Sequence, residues 1–131
     1  MTTDKRKIFI IDDDESVCRA LKYLLMTFGY EVETFLSGKA FFSAVADTNP
    51  GCLILDIHLP ELDGLDVQKQ LKASGSKRKI IIITADKNGG LREQSFKAGA
   101  VGFLQKPFND QALIDLINQA FEENRYDALP V

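Results

Sequence analysis

The chain has 131 residues, of which 45% are apolar, and this length and composition predict one globular domain with a hydrophobic core. Lys and Arg total 16 against 19 Asp and Glu, so the net charge of −3 lacks the basic surplus of a nucleic-acid-binding domain. We expect one domain over residues 1–131, with its core at about 6–124 and a polar tail at 125–131. Direct nucleic-acid binding by this domain is not expected.

Two cysteines, Cys18 and Cys52, fall on an apolar helix face and in an apolar strand, where a free thiol usually acts as a small buried apolar residue. After a basic start, the chain offers only four apolar residues before Asp12. That run is too short for a signal-peptide core or a membrane span. We therefore expect unpaired thiols, a cytoplasmic location and no membrane association.

Short apolar runs alternate with segments of helical period along the chain, a pattern that predicts an α/β fold built from βαβ units. The predicted strands cover residues 8–11, 31–36, 52–55, 80–83 and 101–104. The first helix carries an apolar face from Val17 to Phe28 and ends at Gly29. A second helix runs through Phe41 to Val45, before a turn at 49–51.

The remaining helices are predicted at about 65–73, 91–98 and from 110 onward. The last has a clear apolar face and a capping residue, Asn109 or Asp110. The helix at 91–98 has a thin apolar stripe and is opened by Asn88-Gly89-Gly90, which costs backbone entropy. Because such a segment costs little to move, it is a candidate switch element.

Polar residues follow four of the predicted strands: Asp12 and Asp13, then Asp56, Thr84 and Lys106. If the strands are parallel, their carboxyl ends meet at one edge of the sheet. Three carboxylates, a hydroxyl and an ammonium would then lie together, a set that suits Mg2+ and a phosphoryl group.

The two acids that directly follow the first strand are poorly explained as turn formers, because carboxylates about 4 Å apart repel by roughly 1–4 kcal/mol per pair. A hard divalent cation would offset that repulsion. Asp14 or Glu15, by contrast, is well explained as a cap of the first helix. Asp56 stands alone after its strand and is the best candidate nucleophile, since a carboxylate can accept a phosphoryl group as an acyl phosphate.

His58 is the only histidine, which excludes metal sites built from several histidines. It lies two residues after Asp56 without a helical setting of its own, so a phosphohistidine role ranks low. The chain has no Gly-rich nucleotide-binding motif of the G-x-x-x-x-G-K-[ST] or G-x-G-x-x-G type.

Taken together, these residues resemble the receiver domain of response regulators in bacterial two-component signalling. The resemblance covers Lys7 to about Asn124 and is carried by four strings in the family's order, IIDDDESV, LILDIHLPELDG, IIITAD and AGAVGFLQKPF. It implies a flavodoxin-like, three-layer (βα)5 fold with five parallel strands in the order 2-1-3-4-5.

The resemblance assigns a role to each acidic position. Asp56 looks like the phosphoacceptor, and Asp12 and Asp13 look like the acidic pair that holds Mg2+ together with Asp56. The backbone carbonyl of His58 is implied as a further metal ligand. Asp14 falls outside the pair in the only register that matches the family.

The same resemblance implies a switch. Thr84 looks like the switch hydroxyl, Lys106 like the phosphate-facing lysine and Phe103 like the aromatic rotamer switch. Lys106-Pro107 resembles the family's frequently cis peptide bond. His58 and Asp86 lie two residues after the phosphoacceptor and the switch hydroxyl, where the family varies, and we expect them to tune the lifetime of the acyl phosphate.

The implied function is transfer of a phosphoryl group from a phosphohistidine of a sensor histidine kinase, or of a phosphotransfer protein, to Asp56. The face formed by the fourth helix, the last strand and the last helix would then change, by biasing a two-state equilibrium. Dimerisation through this face is one option for the output. The chain would be a signalling switch rather than an enzyme, similar to receivers that precede a helix-turn-helix domain and control transcription.

Two alternatives stay open at this point. A phosphatase of the haloacid dehalogenase type also uses a strand-end Asp nucleophile, a Thr or Ser, a Lys and acids around Mg2+. That family, however, has its nucleophile first in the chain and a second Asp two residues later, where this chain has His58. The other alternative is a degenerate receiver that serves only as a binding module.

Overall fold

The computed structural model describes residues 6–46 and 51–127 and contains a five-stranded parallel sheet in the order β2-β1-β3-β4-β5. The strands are β1 (Lys7–Ile11), β2 (Glu31–Phe35), β3 (Cys52–Asp56), β4 (Lys79–Thr84) and β5 (Gly102–Gln105). They alternate with the helices α1 (Glu15–Thr27), α2 (Gly38–Ala44), α3 (Gly64–Ala73), α4 (Gly89–Lys97) and α5 (Asp110–Asp127). The predicted flavodoxin-like topology is therefore confirmed.

Two apolar layers cover the sheet, because successive side chains of a strand point to opposite faces. Ile8 and Ile10 of β1 pack with residues of α1 and α5 in one core cluster. Phe9 and Ile11, from the same strand, pack with residues of α2 and α3 in the other. Strands buried on both faces are continuous apolar runs, which is why the sequence identified them.

Helix α1 begins where the sequence places a cap and ends where it places a glycine. The Asp14 carboxylate accepts hydrogen bonds from the backbone N–H groups of Ser16 and Val17. Gly29 adopts a φ of 89°, a conformation that costs glycine little after a helix. Phe28 was predicted on the apolar face but is 53% exposed, because it follows the last helical residue and has left the helical register.

Helix α4 has the thin apolar stripe that the sequence predicts, with Ser95 as its only buried residue. Asn88 is its N-cap. The α5 prediction also holds, since Leu113, Ile114 and Ile117 are buried. The Asn109 side chain accepts a hydrogen bond at the start of α5, so it takes the capping role predicted for Asn109 or Asp110.

The other differences from prediction are small and fall at element ends. Strand β2 ends at Phe35 rather than at residue 36, and β5 runs from Gly102 to Gln105 rather than over 101–104. The predicted tail at 125–131 begins inside α5, which continues to Asp127. The predicted turn at 49–51 falls largely on residues 47–50, which lie outside the described residues, as do 128–131.

Both cysteines are free and buried, as predicted. Burial raises the pKa of Cys18 to about 11 and that of Cys52 to about 12. Within the described part of the chain, no helix combines the length and the apolar character needed to cross a lipid bilayer.

Candidate functional site

The register of the sheet brings the predicted polar residues to one edge. Ile11 of β1 pairs with Leu55 of β3, so Asp12 and Asp56 leave the sheet at the same level. Thr84 is the last residue of β4 and pairs with Gln105 of β5, which directly precedes Lys106. Four neighbouring strands therefore contribute to a single site at their carboxyl ends.

Three carboxylates form an acidic cluster at this edge, which we call the acidic site: Asp12, Asp13 and Asp56. One oxygen from each lies within 4.8 Å of the others. Asp12 is fully buried and Asp56 is 6% exposed, whereas Asp13 faces solvent. Carboxylate oxygens around an open position are the donors that Mg2+ uses with one or two protein ligands and several waters, so this set fits that ion.

Asp14, the neighbouring acid, is separated from the acidic site by its helix-capping role. Its side chain accepts hydrogen bonds from the Ser16 hydroxyl at 2.6 Å and from the Ser16 backbone N–H at 2.9 Å. These bonds lower the pKa of Asp14. This arrangement agrees with the expectation that the acidic pair consists of Asp12 and Asp13 and leaves Asp14 out.

Lys106 provides the positive charge of the site. Its Nζ lies 2.8 Å from Asp12 Oδ2 and 3.4 Å from Asp56 Oδ2. Burial lowers the pKa of Lys106, but the hydrogen bond and charge of Asp12 and the charge of Asp56 outweigh burial and raise it. The ammonium therefore stays protonated between the two buried carboxylates.

Both carboxylate oxygens of Asp56 have a hydrogen-bond partner. Its Oδ1 accepts a hydrogen bond from the His58 backbone N–H at 3.3 Å, and its Oδ2 faces Lys106. Burial, followed by the negative charge of Asp12, raises the pKa of Asp56 against the opposing effect of Lys106. The charged form of Asp56 is thus destabilised in this site, and a nearby cation would relieve that cost.

Gly64 lies directly against the backbone of Asp56 and Ile57. A Cβ at position 64 would lie 2.5 Å from the Asp56 carbonyl oxygen and 2.7 Å from the Ile57 Cα, so only glycine fits. The Gly64 N–H donates to the Ile57 carbonyl oxygen at 2.7 Å. Gly64 was not predicted as part of the site, although a glycine between a strand-end loop and a helix can indicate such a close approach of the backbone.

Thr84 and Phe103 lie on the same face of the sheet. Phe103 pairs with Ile82, and Ile82 and Thr84 point to the same side because they are two residues apart. Thr84 is fully buried, and its Oγ1 accepts a hydrogen bond from the Asp86 backbone N–H at 3.1 Å. Phe103 is half-buried and packs against the core layer that also includes Leu91.

His58 and Asp86, predicted separately from their positions, contact each other. His58 Nε2 lies 2.6 Å from Asp86 Oδ2, which joins the loop after β3 to the loop after β4. Asp86 is itself fixed by the Asn88 N–H, which donates to its Oδ1 at 2.8 Å. That hydrogen bond, followed by the one with His58, lowers the pKa of Asp86. This contact was not predicted from the sequence.

The peptide bond between Lys106 and Pro107 is cis, as the resemblance implies. One further contact, made by Arg92, was not predicted from the sequence. Arg92 of α4 places its guanidinium carbon 5.9 Å from the centre of the Phe103 ring. A single arginine on a predicted helix gave no signal of this contact, because the two residues belong to different elements.

Comparison with known proteins agrees with this geometry. Residues 8–118 match the family model of the response regulator receiver domain. The response regulator protein TodT of Pseudomonas putida is 42% identical over 115 residues, covering 88% of this chain and 51% of TodT. The transcriptional regulatory protein FixJ of Bradyrhizobium diazoefficiens is 36% identical over 121 residues, covering 92% of this chain and 59% of FixJ.

Solved structures give the same result. The response regulator StyR superposes with a TM-score of 0.87 at 39% identity, covering 94% of this chain and 62% of StyR. Full-length FixJ from B. japonicum superposes with a TM-score of 0.85 at 36% identity, covering 92% of this chain and 60% of FixJ. The chain thus spans about half the length of the curated relatives it matches. By fold, strand-end residues and sequence match, the chain belongs to the response regulator receiver domain family.

Proposed function

We propose that this chain is the phosphoacceptor receiver of a two-component system and that Asp56 accepts the phosphoryl group. The observation that carries the proposal is the position of Asp56, which is buried within 4.8 Å of two further carboxylates and 3.4 Å from an ammonium. We also propose that residues 1–131 form one receiver domain and that this domain acts in the cytoplasm.

In the proposed reaction, an oxygen of Asp56 attacks the phosphorus of a phosphohistidine on a sensor histidine kinase or a phosphotransfer protein. The new P–O bond forms as the P–N bond breaks, which leaves an acyl phosphate on Asp56. The leaving ring nitrogen keeps the P–N electron pair, and the proton on the other ring nitrogen of the phosphohistidine makes the released histidine neutral. Mg2+ held by Asp12, Asp13, Asp56 and the His58 carbonyl would offset the negative charge of the reacting groups. Lys106 adds fixed positive charge beside the same carboxylate.

The proposed switch uses residues that surround the site rather than form it. The phosphoryl group draws Thr84 and Lys106 toward Asp56, and Phe103 turns into the space that Thr84 leaves. Since Phe103 lies on β5 and packs on the side of α4, the face of α4, β5 and α5 changes with it. The chain acts as a signalling switch, with no turnover of small substrates.

We propose transcription control as the output, through a domain beyond this chain or a partner. The relatives FixJ of B. diazoefficiens and TdiR of Thauera aromatica are named transcriptional regulatory proteins, and this chain covers 59% and 55% of their lengths. Dimerisation through the α4-β5-α5 face is the form of output that this proposal favours. Direct nucleic-acid binding by this domain is not part of it, because the net charge is −3.

The test is phosphorylation with acetyl phosphate and Mg2+, followed by intact mass spectrometry. We expect one added phosphoryl group on the wild-type chain, none after addition of EDTA and none on Asp56→Asn. Asp115→Asn is a matched control, because it removes the same charge from an exposed position on α5. Phosphorylation that persists in Asp56→Asn contradicts the assignment, and its absence from the wild type supports the degenerate receiver instead.

We favour the receiver over the phosphatase alternative because residues 8–118 match the receiver family model, and the same protein tests this choice. No release of phosphate from small phosphomonoesters is expected.

We further propose that the His58–Asp86 contact controls the lifetime of the acyl phosphate. The contact joins the loops that follow the phosphoacceptor and the switch hydroxyl, so it limits the approach of water between them. His58→Asn and Asp86→Ala should change the rate of dephosphorylation by similar factors, and the double variant should add little to either. Unchanged rates in both single variants would show that this idea is wrong.

A further inference from the structure

Arg92 lies between two aromatic rings on the surface of α4 and β5. Its guanidinium carbon is 5.2 Å from the centre of the Phe96 ring and 5.9 Å from the centre of the Phe103 ring. A guanidinium within about 6 Å of a ring centre is attracted by the electron-rich face of the ring. Phe96 belongs to the same helix, one turn away, whereas Phe103 belongs to the neighbouring strand.

The contact with Phe103 joins helix α4 to strand β5. Ser95 is the only buried residue of α4, and two glycines begin the helix after Asn88. Phe96 is 39% exposed, so its ring does little to anchor the helix in the core. The guanidinium that reaches from α4 to a ring of β5 is therefore one of the contacts that fix α4, beside the packing of Leu91 on the core and the hydrogen bond from Gln68 Nε2 to the Ser95 carbonyl oxygen.

Phe103 is also the ring whose movement the proposed function requires. It shares a face of the sheet with the buried Thr84, so a shift of Thr84 toward Asp56 opens space on that face. In the present conformation the ring is half-buried and lies under Arg92. To turn inward, the ring must give up this contact, whereas the contact between Arg92 and Phe96 can persist within α4.

We propose that Arg92 is a positioning residue that holds the Phe103 ring in the half-buried position described here and so favours the unphosphorylated conformation. The inference rests on the proposed function in one respect, the inward turn of Phe103. Loss of the Arg92–Phe103 attraction should raise the population of the inward conformer about two- to fivefold, the factor that one exposed cation–π contact supplies. The apparent affinity for a phosphoryl group, or for an analogue of it, should rise by the same factor.

The experiment compares Arg92→Gln with Lys97→Gln in the full chain. Lys97 is an exposed cation of the same helix and lies 3.7 Å from Glu93, so its replacement removes the same charge without touching a ring. Each protein is titrated with beryllofluoride in the presence of Mg2+, and conversion is followed by NMR of 13C-labelled phenylalanine rings. Arg92→Gln should need about two- to fivefold less beryllofluoride for half conversion, and Lys97→Gln should match the wild type.

A double-mutant cycle separates positioning from a general effect on the helix. In a Phe103→Leu background, Arg92→Gln should cause no further change, because the ring that it holds is gone. Arg92→Lys keeps a cation near the rings and should retain most of the wild-type behaviour. Equal midpoints for Arg92→Gln and Lys97→Gln, or an Arg92 effect that persists without Phe103, would overturn the inference.

The untreated protein gives a readout that does not depend on phosphorylation. In the wild type, nuclear Overhauser contacts should join the Phe103 ring to the Arg92 side chain. In Arg92→Gln, contacts from the ring to the Thr84 methyl group should strengthen. If the wild type fails to respond to beryllofluoride, the proposed function fails, whereas unchanged ring contacts in untreated Arg92→Gln overturn the positioning role alone.

Discussion

Replacing Asp56 with Asn should stabilise the metal-free protein, although Asp56 is the residue on which the proposed function depends. The Asp12, Asp13 and Asp56 oxygens lie within 4.8 Å of one another, and at that distance each like-charge pair costs roughly 0.9–3.5 kcal/mol for effective dielectric constants between about 80 and 20. The attraction between Asp56 and the Lys106 ammonium, whose Nζ lies 3.4 Å away, offsets roughly 1.2–5 kcal/mol of this repulsion. These charge pairs together leave a cost of roughly 0.6–2 kcal/mol for the Asp56 charge, and burial of the carboxylate adds to that cost.

We expect Asp56→Asn to raise the free energy of unfolding at pH 7 by about 1–2 kcal/mol, and the thermal midpoint by about 3–8 °C. Urea and thermal unfolding followed by circular dichroism, in EDTA and low salt, measure both quantities. High salt should reduce the difference, because the Asp13 side of the cluster faces solvent. Added Mg2+ should stabilise the wild type more than the variant, since it offsets the repulsion that Asn has already removed.

The pH dependence has a defined sign. Burial and the charge of Asp12 raise the pKa of Asp56 above 3.8, so the folded state binds this proton more tightly than the unfolded chain does. The destabilisation of the wild type is complete above the raised pKa and disappears as the pH falls below 3.8. The advantage of Asp56→Asn should therefore shrink on acidification. An equal gain in the exposed control Asp115→Asn, or a loss of stability in Asp56→Asn, would refute the reasoning.

Three further predictions use other parts of the same structure. Lys106→Met should lower the free energy of unfolding by about 3–5 kcal/mol in chemical denaturation, because it leaves the buried Asp12 carboxylate without the ammonium at 2.8 Å. A gain in stability would contradict the charge balance of the site. Gly64→Ala should lower the thermal midpoint, because the added Cβ would lie 2.5 Å from a backbone oxygen. Gly89→Ala, on α4 with open space around it, should instead raise the free energy of unfolding by about 0.5–1 kcal/mol. Equal effects at the two positions would contradict this packing. Both thiols should resist alkylation at pH 7 in the folded protein and react after denaturation, since burial keeps them protonated; fast labelling of the native chain would show an opening that the structure lacks.

The fold could be predicted from local signals because this protein buries its sheet on both faces. The central strands β1, β3 and β4 each contain an uninterrupted apolar run, and the first polar residue after that run marks the edge at which the site lies. Asp12, Asp56 and Thr84 were identified in this way, and their levels in the sheet follow from the parallel register. Element ends were less accurate, as Phe28 illustrates, because helical periodicity continues in the sequence beyond the residue at which the helix ends.

The sequence by itself determined which groups meet at the carboxyl edge, since a parallel sheet allows only one arrangement of its strand ends. It could not determine which side chains meet across elements that are far apart in the chain. The contacts of His58 with Asp86 and of Arg92 with Phe103 depend on how two loops, or a helix and a strand, pack against each other and on the rotamers they select. No local propensity encodes those distances, so only the tertiary structure decided them.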